Sequence, residues 1–190
     1  FGSIGVFLSD RMGAGRVCSG RHPNPLYPNR PYLMAIVHPE GWRELAASGA
    51  AGREIETLTR LAEGLSDDYT VFHGVHWTRV RNGGFAIVGE IDFAIVGPTG
   101  KLLLIEQKSG FLAETPEGLV KRYAKKDKSV PQQLARSVDA LSQRLRAVCG
   151  DDPVLVDALL FCPDYVVKQP GTAGLDPARI VAATNRQYLL

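Results

Sequence analysis

The chain has 190 residues, of which 45% are hydrophobic and 22% are charged, and its formal net charge is +2. This length suffices for one domain with a substantial core but hardly for two, and the small net charge excludes nucleic-acid binding through an overall basic field. The three cysteines form no CxxC pair, which excludes a disulfide framework. The apolar runs fall short of the roughly 18 residues of a membrane span, which excludes a membrane segment. Both features favour a cytoplasmic location.

The first 33 residues differ in composition from the rest of the chain. They are rich in Gly, Pro, Arg and Asn and show no sustained apolar period, so they have little to bury. We therefore expect residues 1–33 to be a low-complexity or disordered leader outside the native domain, which begins at Met34. Residues 34–168 form the predicted domain. The Pro- and Gly-rich residues 169–190 are predicted to be a C-terminal extension or a linker toward a missing domain.

A helical period runs over residues 46–65. Its apolar stripe consists of Ile55, Leu58, Leu61, Ala62 and Leu65. At about 100° per residue, Glu54 lies beside this stripe, whereas Glu56 points away from it. Glu54 is therefore the acid of this helix that we expect to reach the interior.

Three strand-like runs follow and predict a meander: residues 69–77, 85–96 and 101–108. The second run carries Asp92 within an apolar pattern, and the third carries Glu106 and Lys108 after four aliphatic residues. Because side chains alternate between the two faces of a strand, a hairpin could bring these three residues together at one edge. Buried carboxylates cost several kcal/mol unless they are paired or bind a metal, so this pattern indicates a functional site.

Other interpretations of these strands stay open. A Glu-x-Lys tripeptide is expected by chance on the order of once in such a chain, and the alternative is a salt-bridged pair at the end of a surface strand. Glu90 shares a face with Asp92 and is either a further metal ligand or the partner of a nearby basic residue. His73 and His76 show no metal-binding spacing, and a structural or solvated role is the simpler interpretation.

The second half of the chain starts with a polar segment, residues 114–129. A long helix is predicted from Pro131, where proline suits the first helical turn, and a buried strand follows over residues 154–161. The complete order is α-β-β-β-α-β, in which the second helix acts as a crossover. This order predicts an α/β protein whose mixed central β-sheet is flanked by helices.

The order and four motifs resemble the PD-(D/E)xK restriction-endonuclease-like superfamily and, within it, the nuclease-related domain called NERD. The motifs are Gly52-Arg53-Glu54, Gly89-Glu90-Ile91-Asp92, Ile105-Glu106-Gln107-Lys108 and Ser129-Val130-Pro131-Gln132-Gln133. The resemblance extends over residues 34–164. Residues 41–45 and 73–78 look like the NERD branch that precedes UvrD-type superfamily 1 helicases, which implies that a helicase domain follows in the same protein.

The resemblance implies a restriction-endonuclease-like core and a Mg²⁺ or Mn²⁺ site. One ion would be held by Asp92, Glu106 and the backbone carbonyl of Gln107. Glu54 would bind a second ion or a water molecule that is bound to the first ion. Gln107 departs from the family pattern, in which an aliphatic residue is usual, and we explain this by an edge strand that leaves Gln107 partly wet.

The resemblance also implies two further roles in catalysis. Lys108 would orient or help deprotonate the attacking water and would neutralise charge on the phosphate. The glutamine of the second helix would position that lysine or a phosphate oxygen. Gln133 lies about 100° from the apolar stripe of this helix and Gln132 about 160°, so Gln133 is preferred.

A cluster of basic residues precedes the second helix: Lys121, Arg122, Lys125, Lys126 and Lys128. Such a cluster binds DNA backbones without sequence preference, or it is a solvated loop. The predicted function is a metal-dependent nuclease domain that hydrolyses DNA, as part of a larger helicase-nuclease. The alternatives are an inactive DNA-binding or docking module and a generic α/β domain whose acids form ion pairs only.

Overall fold

The computed structural model describes residues 34–44, 49–80, 86–124, 126–150 and 154–190. The α-helices in these ranges are α1 (Gly49–Gly64) and α2 (Val130–Cys149). The strands are β1 (Ile36–His38), β2 (Thr70–Val80), β3 (Ala86–Val96), β4 (Leu102–Gln107), β5 (Ala113–Thr115), β6 (Gly118–Lys121), β7 (Lys128–Ser129), β8 (Val156–Cys162) and β9 (Ile180–Ala182). Neither helix is both long and apolar enough to cross a bilayer.

A mixed six-stranded sheet forms the centre of the molecule, in the order β1-β2-β3-β4-β8-β9. Strands β2, β3 and β4 are antiparallel neighbours, whereas the β1–β2, β4–β8 and β8–β9 pairs are parallel. The parallel β4–β8 pair requires a crossover connection, and α2 provides it. The predicted α/β class and its order α-β-β-β-α-β are thus confirmed, while the edge strands β1 and β9 were not predicted.

The two helices cover opposite faces of this sheet. Leu58 and Leu61 of α1 pack in a buried cluster with Phe93 of β3. Leu141 of α2 packs on the other side, in a cluster with Leu104 of β4. Burial of each such side chain stabilises the fold by about 1.5–3 kcal/mol, so the apolar stripes of the helices fix both layers against the sheet.

Helix α2 begins with a side-chain cap, which sets the position of its first turn. The Ser129 hydroxyl accepts a hydrogen bond from the Gln132 N–H (3.4 Å), and Pro131 occupies the first turn. Both features suit a helix start because the first amides lack partners within the helix. The side chain of Gln133 is therefore presented from a fixed point beside the sheet.

The stretch predicted as a polar segment contains a second sheet of three antiparallel strands, β5-β6-β7. Glu114 of β5 attaches it to the segment after β8, since its carboxylate accepts hydrogen bonds from the Tyr165 hydroxyl (2.8 Å) and from the Lys168 (2.9 Å) and Gln169 (2.8 Å) amides. Burial opposes ionisation of Glu114, but these hydrogen bonds outweigh it and lower its pKa. The small sheet is thereby held beside the end of β4.

The proposed division into a leader, a domain and an extension stays a prediction. Residues 1–33 lie outside the described residues. Strand β9 falls within residues 169–190 and forms an edge of the central sheet by pairing with β8. This part of the predicted extension is therefore a component of the fold.

One close contact between β2 and β3 yields a stability prediction. A Cβ on Gly89 would lie 2.3 Å from Cζ2 of the Trp77 ring, which is too close for both groups to stay in place. We expect Gly89→Ala to lower the free energy of unfolding by about 1–3 kcal/mol, as for other overpacked sites, in chemical denaturation. The control is Gly171→Ala, because a Cβ there meets no atom within 4 Å. Equal stabilities of the two variants would contradict this packing.

Candidate active site

The predicted acids lie where β3 and β4 separate. The backbone pairing of these strands ends at Phe93 and Ile105. At the next level, the Gln107 N–H donates instead to Oδ2 of Asp92 (2.7 Å). Strand β3 continues its pairing with β2 beyond this point, so β3 diverges from β4 and opens a cleft with Asp92 and Glu106 at its floor.

A glycine in β2 breaks the sheet at the same level. Gly74 has a φ of +65°, and the β2–β3 register passes from His73↔Phe93 to Val75↔Ile91 without pairing Gly74. His73 stacks on Phe93 on the α1 side (centroids 5.4 Å apart), whereas Val75 belongs to the cluster on the α2 side. A positive φ suits glycine because it lacks a Cβ. Residues two apart, His73 and Val75, therefore lie on opposite faces of the sheet, so the regular alternation of side chains is interrupted beside Asp92.

This break gives α1 access to the cleft. Glu54 of α1 lines the same cleft as Asp92 and Glu106. Its Oε2 lies 3.3 Å from Nε2 of His73, so His73 contacts a candidate site residue, a role that the sequence analysis did not favour. Sequence spacing could not show this contact because the two residues come from different elements.

A second contact fixes α1 relative to the end of β4. Arg53 donates to Oδ1 of Asp164 (2.7 Å), and the Gly110 N–H donates to Oδ2 of the same carboxylate (3.1 Å). Asp164 therefore bridges the helix that carries Glu54 and the loop that follows Lys108.

Glu106 and Lys108 form a buried pair at the floor of the cleft. Glu106 is 1% exposed and Lys108 is 7% exposed. Oε1 of Glu106 accepts from the Lys108 ammonium and from Nε2 of Gln133 (2.5 Å). Oε2 of Glu106 is buried and has no hydrogen-bond partner among the described residues. An acceptor left in this way costs roughly 1–3 kcal/mol, so a donor or a cation would stabilise the site.

The pKa shifts of the charged groups at the floor of the cleft also indicate that a cation would stabilise the site. Burial and then the charge of Glu106 raise the pKa of Asp92 to about 8, and burial raises the pKa of Glu106. Burial alone would lower the pKa of Lys108, but the charge of Glu106 and the hydrogen bond to it raise the pKa overall. One buried and one partly buried carboxyl group beside a single lysine favour additional positive charge.

The donor set suits a hard divalent cation. Asp92, Glu106 and Glu54 offer carboxylate oxygens, which Mg²⁺ prefers. In the ranges that the structure describes, no three His, Cys, Asp or Glu side chains converge tightly enough to form a complete metal cluster. Mg²⁺ usually keeps several waters and binds through one or two carboxylates, so the residues present fit this ion.

The two glutamine predictions have different outcomes. Gln133, and not Gln132, reaches Glu106. The explanation of Gln107 by a wet edge strand is wrong, because β4 lies between β3 and β8 and Gln107 is only 5% exposed. Its Nε2 donates to the Ser109 hydroxyl (3.2 Å), while its Oε1 has no hydrogen-bond partner among the described residues.

Glu90 lies on the wall of the cleft rather than at its floor. Its Oε1 is 3.9 Å from Nε2 of His76, and both side chains are more than half exposed. The structure therefore pairs Glu90 with a basic group, which was one of the two interpretations left open, and such an exposed pair contributes little to stability.

The basic cluster divides into residues with different surroundings. Lys126 and Lys128 line the cleft. Lys121 also lines it, but its ammonium donates to the backbone carbonyls of Ser109 (2.6 Å) and Phe111 (3.1 Å). Arg122 is exposed and is not one of the residues that line the cleft. Lys125 lies outside the described residues.

Among the cleft residues that the sequence analysis missed, Arg136 and Tyr123 have side chains suited to binding a ligand. Arg136 lines the cleft from α2, and its spacing of three residues from Gln133 places both on one helix face, a signal that was available. Tyr123 also lines the cleft. No periodicity indicates it, because it lies between β6 and β7 in a non-repetitive stretch.

A known protein family matches the part of the chain that forms the cleft. The model of the nuclease-related domain, NERD, matches residues 48–163, which is more than half of the chain. No curated protein and no solved structure matches significantly. The matched range contains every residue at the floor of the cleft.

The raised pKa of Asp92 predicts a pH-dependent gain in stability for Asp92→Asn. A folded-state pKa of about 8, against 3.8 in the unfolded chain, means that the wild type loses stability as pH rises between these values. Asparagine retains an acceptor for the Gln107 N–H without carrying charge. We expect the melting temperature of the metal-free variant to exceed that of the wild type by on the order of 5 °C at pH 8.

The two melting temperatures should converge near pH 4, which differential scanning calorimetry would show. Asp139→Asn is the control, because Asp139 is an exposed residue of α2. A difference that does not change between pH 4 and pH 8 would contradict the account.

Proposed function

The chain belongs to the nuclease-related domain (NERD) family, and from this premise we propose that its cleft hydrolyses the phosphodiester bonds of DNA with Mg²⁺ or Mn²⁺. One observation carries this proposal. Glu106 and Lys108 are buried as a pair, and Oε2 of Glu106 lacks a hydrogen-bond partner among the described residues. A domain that only docks another protein needs no such buried charges, which are costly to fold around.

The cation would be held by residues at the floor. Asp92 and Glu106 would supply the central carboxylates, the Gln107 carbonyl would be a further ligand, and Glu54 would approach from α1. When bound, Mg²⁺ would supply Lewis-acid stabilisation of charge on the phosphate. It would also relieve the repulsion between Asp92 and Glu106.

Lys108 would act on the phosphate directly. Its ammonium can donate to a non-bridging phosphate oxygen and offset the charge that develops as water attacks phosphorus and the sugar oxygen leaves. Its hydrogen bond to Glu106 fixes the direction of the side chain before substrate binds. Gln133 donates to the same carboxylate oxygen and so fixes Glu106.

Substrate would be held at the rim of the cleft. Lys126, Lys128 and Arg136 line the cleft together with the acids. Because the acids at the floor repel phosphates, these cations would supply the attraction for the DNA backbone on either side of the phosphate that is cut. Contacts of this kind are independent of sequence and weaken with salt.

We further propose that this domain works beside a UvrD-type helicase in the same protein. The support is the similarity of residues 41–45 and 73–78 to the corresponding NERD branch. ATP-dependent unwinding of duplex DNA by the full-length gene product would test this. A full-length product without unwinding activity would exclude it.

The direct test of the proposed function is cleavage of labelled single- and double-stranded DNA with Mg²⁺ or Mn²⁺. We expect cleavage by the wild type, and a loss of at least about 100-fold in Asp92→Asn and in Lys108→Met, since each removes a group that stabilises the transition state. Lys101→Met is the matched control, because Lys101 is exposed beside the β3–β4 turn at the opposite end of β4. Metal-independent cleavage, or cleavage that survives both substitutions, would contradict the proposal. DNA binding without cleavage would instead favour the inactive module.

The adjacent glutamines of α2 provide a matched pair of variants. Gln133 contacts Glu106, whereas Gln132 lines the cleft as an exposed residue that does not reach Glu106. We expect Gln133→Ala to lower kcat/KM for DNA cleavage by about 10- to 100-fold, the usual effect of removing a group that orients a ligand residue. Gln132→Ala should stay within about twofold of wild type. If both variants retain full activity while their melting temperatures are unchanged, Gln133 does not position Glu106.

A further inference from the structure

Tyr123 is an aromatic residue in an otherwise polar part of the cleft. Its side chain is 48% exposed, and it lines the cleft that contains Asp92 and Glu106. Its ring contributes nothing to the three buried clusters of the core. A half-exposed aromatic ring beside a set of charges is poorly explained by packing, so it points to a ligand.

The surroundings of Tyr123 hold it near the site. It follows Lys121 by two residues, and the Lys121 ammonium is anchored on the carbonyls of Ser109 and Phe111, just after β4. Tyr123 and Lys108 line the same cleft. A group stacked on this ring would therefore lie in the cleft that holds the lysine proposed to contact the scissile phosphate.

The neighbours of the ring suit a nucleotide. The Lys128 ammonium lies 5.2 Å from the ring centroid of Tyr123, a cation–π contact. Lys126 lines the cleft on the same β6–β7 connection. An aromatic face flanked by cations is the arrangement that binds single strands, in which the ring stacks on a base and the cations attract the backbone.

The cleft also limits how much nucleic acid can enter. Its volume is about 960 Å³, which is at the upper end of pockets for small ligands. A cleft of this size can accept a few nucleotides of one strand. In a duplex, moreover, base faces are already stacked, and exposing one costs a few kcal/mol.

We propose that Tyr123 is a stacking platform for one base of a single strand, so that the cleft selects single-stranded or unpaired DNA over duplex DNA. This inference rests on the proposed function for the identity of the ligand as nucleic acid. It does not require that the strand be cut.

The test is binding of a fluorescent oligothymidine to the full chain, measured by anisotropy at low salt with Mg²⁺ present. Asp92→Asn is the background, so that cleavage does not interfere. Three additional substitutions are compared in this background: Tyr123→Leu, Tyr123→Phe and Tyr188→Leu. Tyr188 is the control because it is 73% exposed and lines a separate apolar groove at the β3–β4 turn.

Stacking predicts a specific order of affinities. Tyr123→Leu should weaken binding by roughly 5- to 150-fold, the loss of one stacked base, whereas Tyr123→Phe should bind within about threefold of the background protein. Tyr188→Leu should have no effect. A blunt-ended duplex of equal charge should bind more weakly than the single strand and should be insensitive to Tyr123→Leu.

A probe with the same sugar–phosphate backbone but no bases separates stacking from phosphate contact. It should bind Tyr123→Leu and the background protein equally. The inference is overturned if the baseless probe still detects the substitution, if Tyr123→Phe loses as much as Tyr123→Leu, or if duplex and single strand bind equally. Absence of any DNA binding overturns it as well.

Failure of this inference is distinguishable from failure of the proposed function. A wild type that cleaves DNA while Tyr123→Leu binds single strands normally would sustain the nuclease and remove the stacking role. Single-strand binding that depends on Tyr123, in a wild type that never cleaves, would sustain the platform and remove the nuclease.

Discussion

The burial of Glu106 beside Lys108 is the constraint on which the rest of the site depends. A carboxylate that is 1% exposed is tolerated only with compensating charge and hydrogen bonds, and Lys108 and Gln133 both donate to its Oε1. Its other oxygen stays without a partner among the described residues. The fold thus retains a local deficit of positive charge at the point where β3 and β4 separate.

The architecture delivers groups from both layers to this point. Helix α2 covers one face of the sheet and brings Gln133, and the cap at Ser129 fixes where that helix starts. Helix α1 covers the opposite face, and the break at Gly74 lets its Glu54 border the same cleft. A regular sheet would separate groups that lie on opposite faces, so the irregularity of β2 and β3 is what assembles the site.

Sequence patterns predicted those parts that depend on local geometry. The alternation of strands placed Asp92, Glu106 and Lys108 together, and the helical period selected Glu54 over Glu56 and Gln133 over Gln132. Sequence patterns failed where contacts with segments distant in the chain determine whether a residue is buried. Gln107 is buried because β8 pairs with β4, and the strand that puts it there is about fifty residues away in the chain. Tyr123 and the small sheet around it were missed for a different reason, because its strands are only two to four residues long and too short to show an alternating pattern.

The site is proposed to bind a divalent cation that relieves the charge deficit around Asp92 and Glu106. This is tested by the melting temperatures of the wild type and of Asp92→Asn at pH 8, titrated with Mg²⁺ or Mn²⁺ from a chelated baseline. We expect the wild type to be stabilised progressively, by about 2.7 kcal/mol at one hundred times the dissociation constant, whereas Asp92→Asn should hardly respond. A wild type that shows no metal-dependent shift, or a variant that shifts equally, would contradict this proposal.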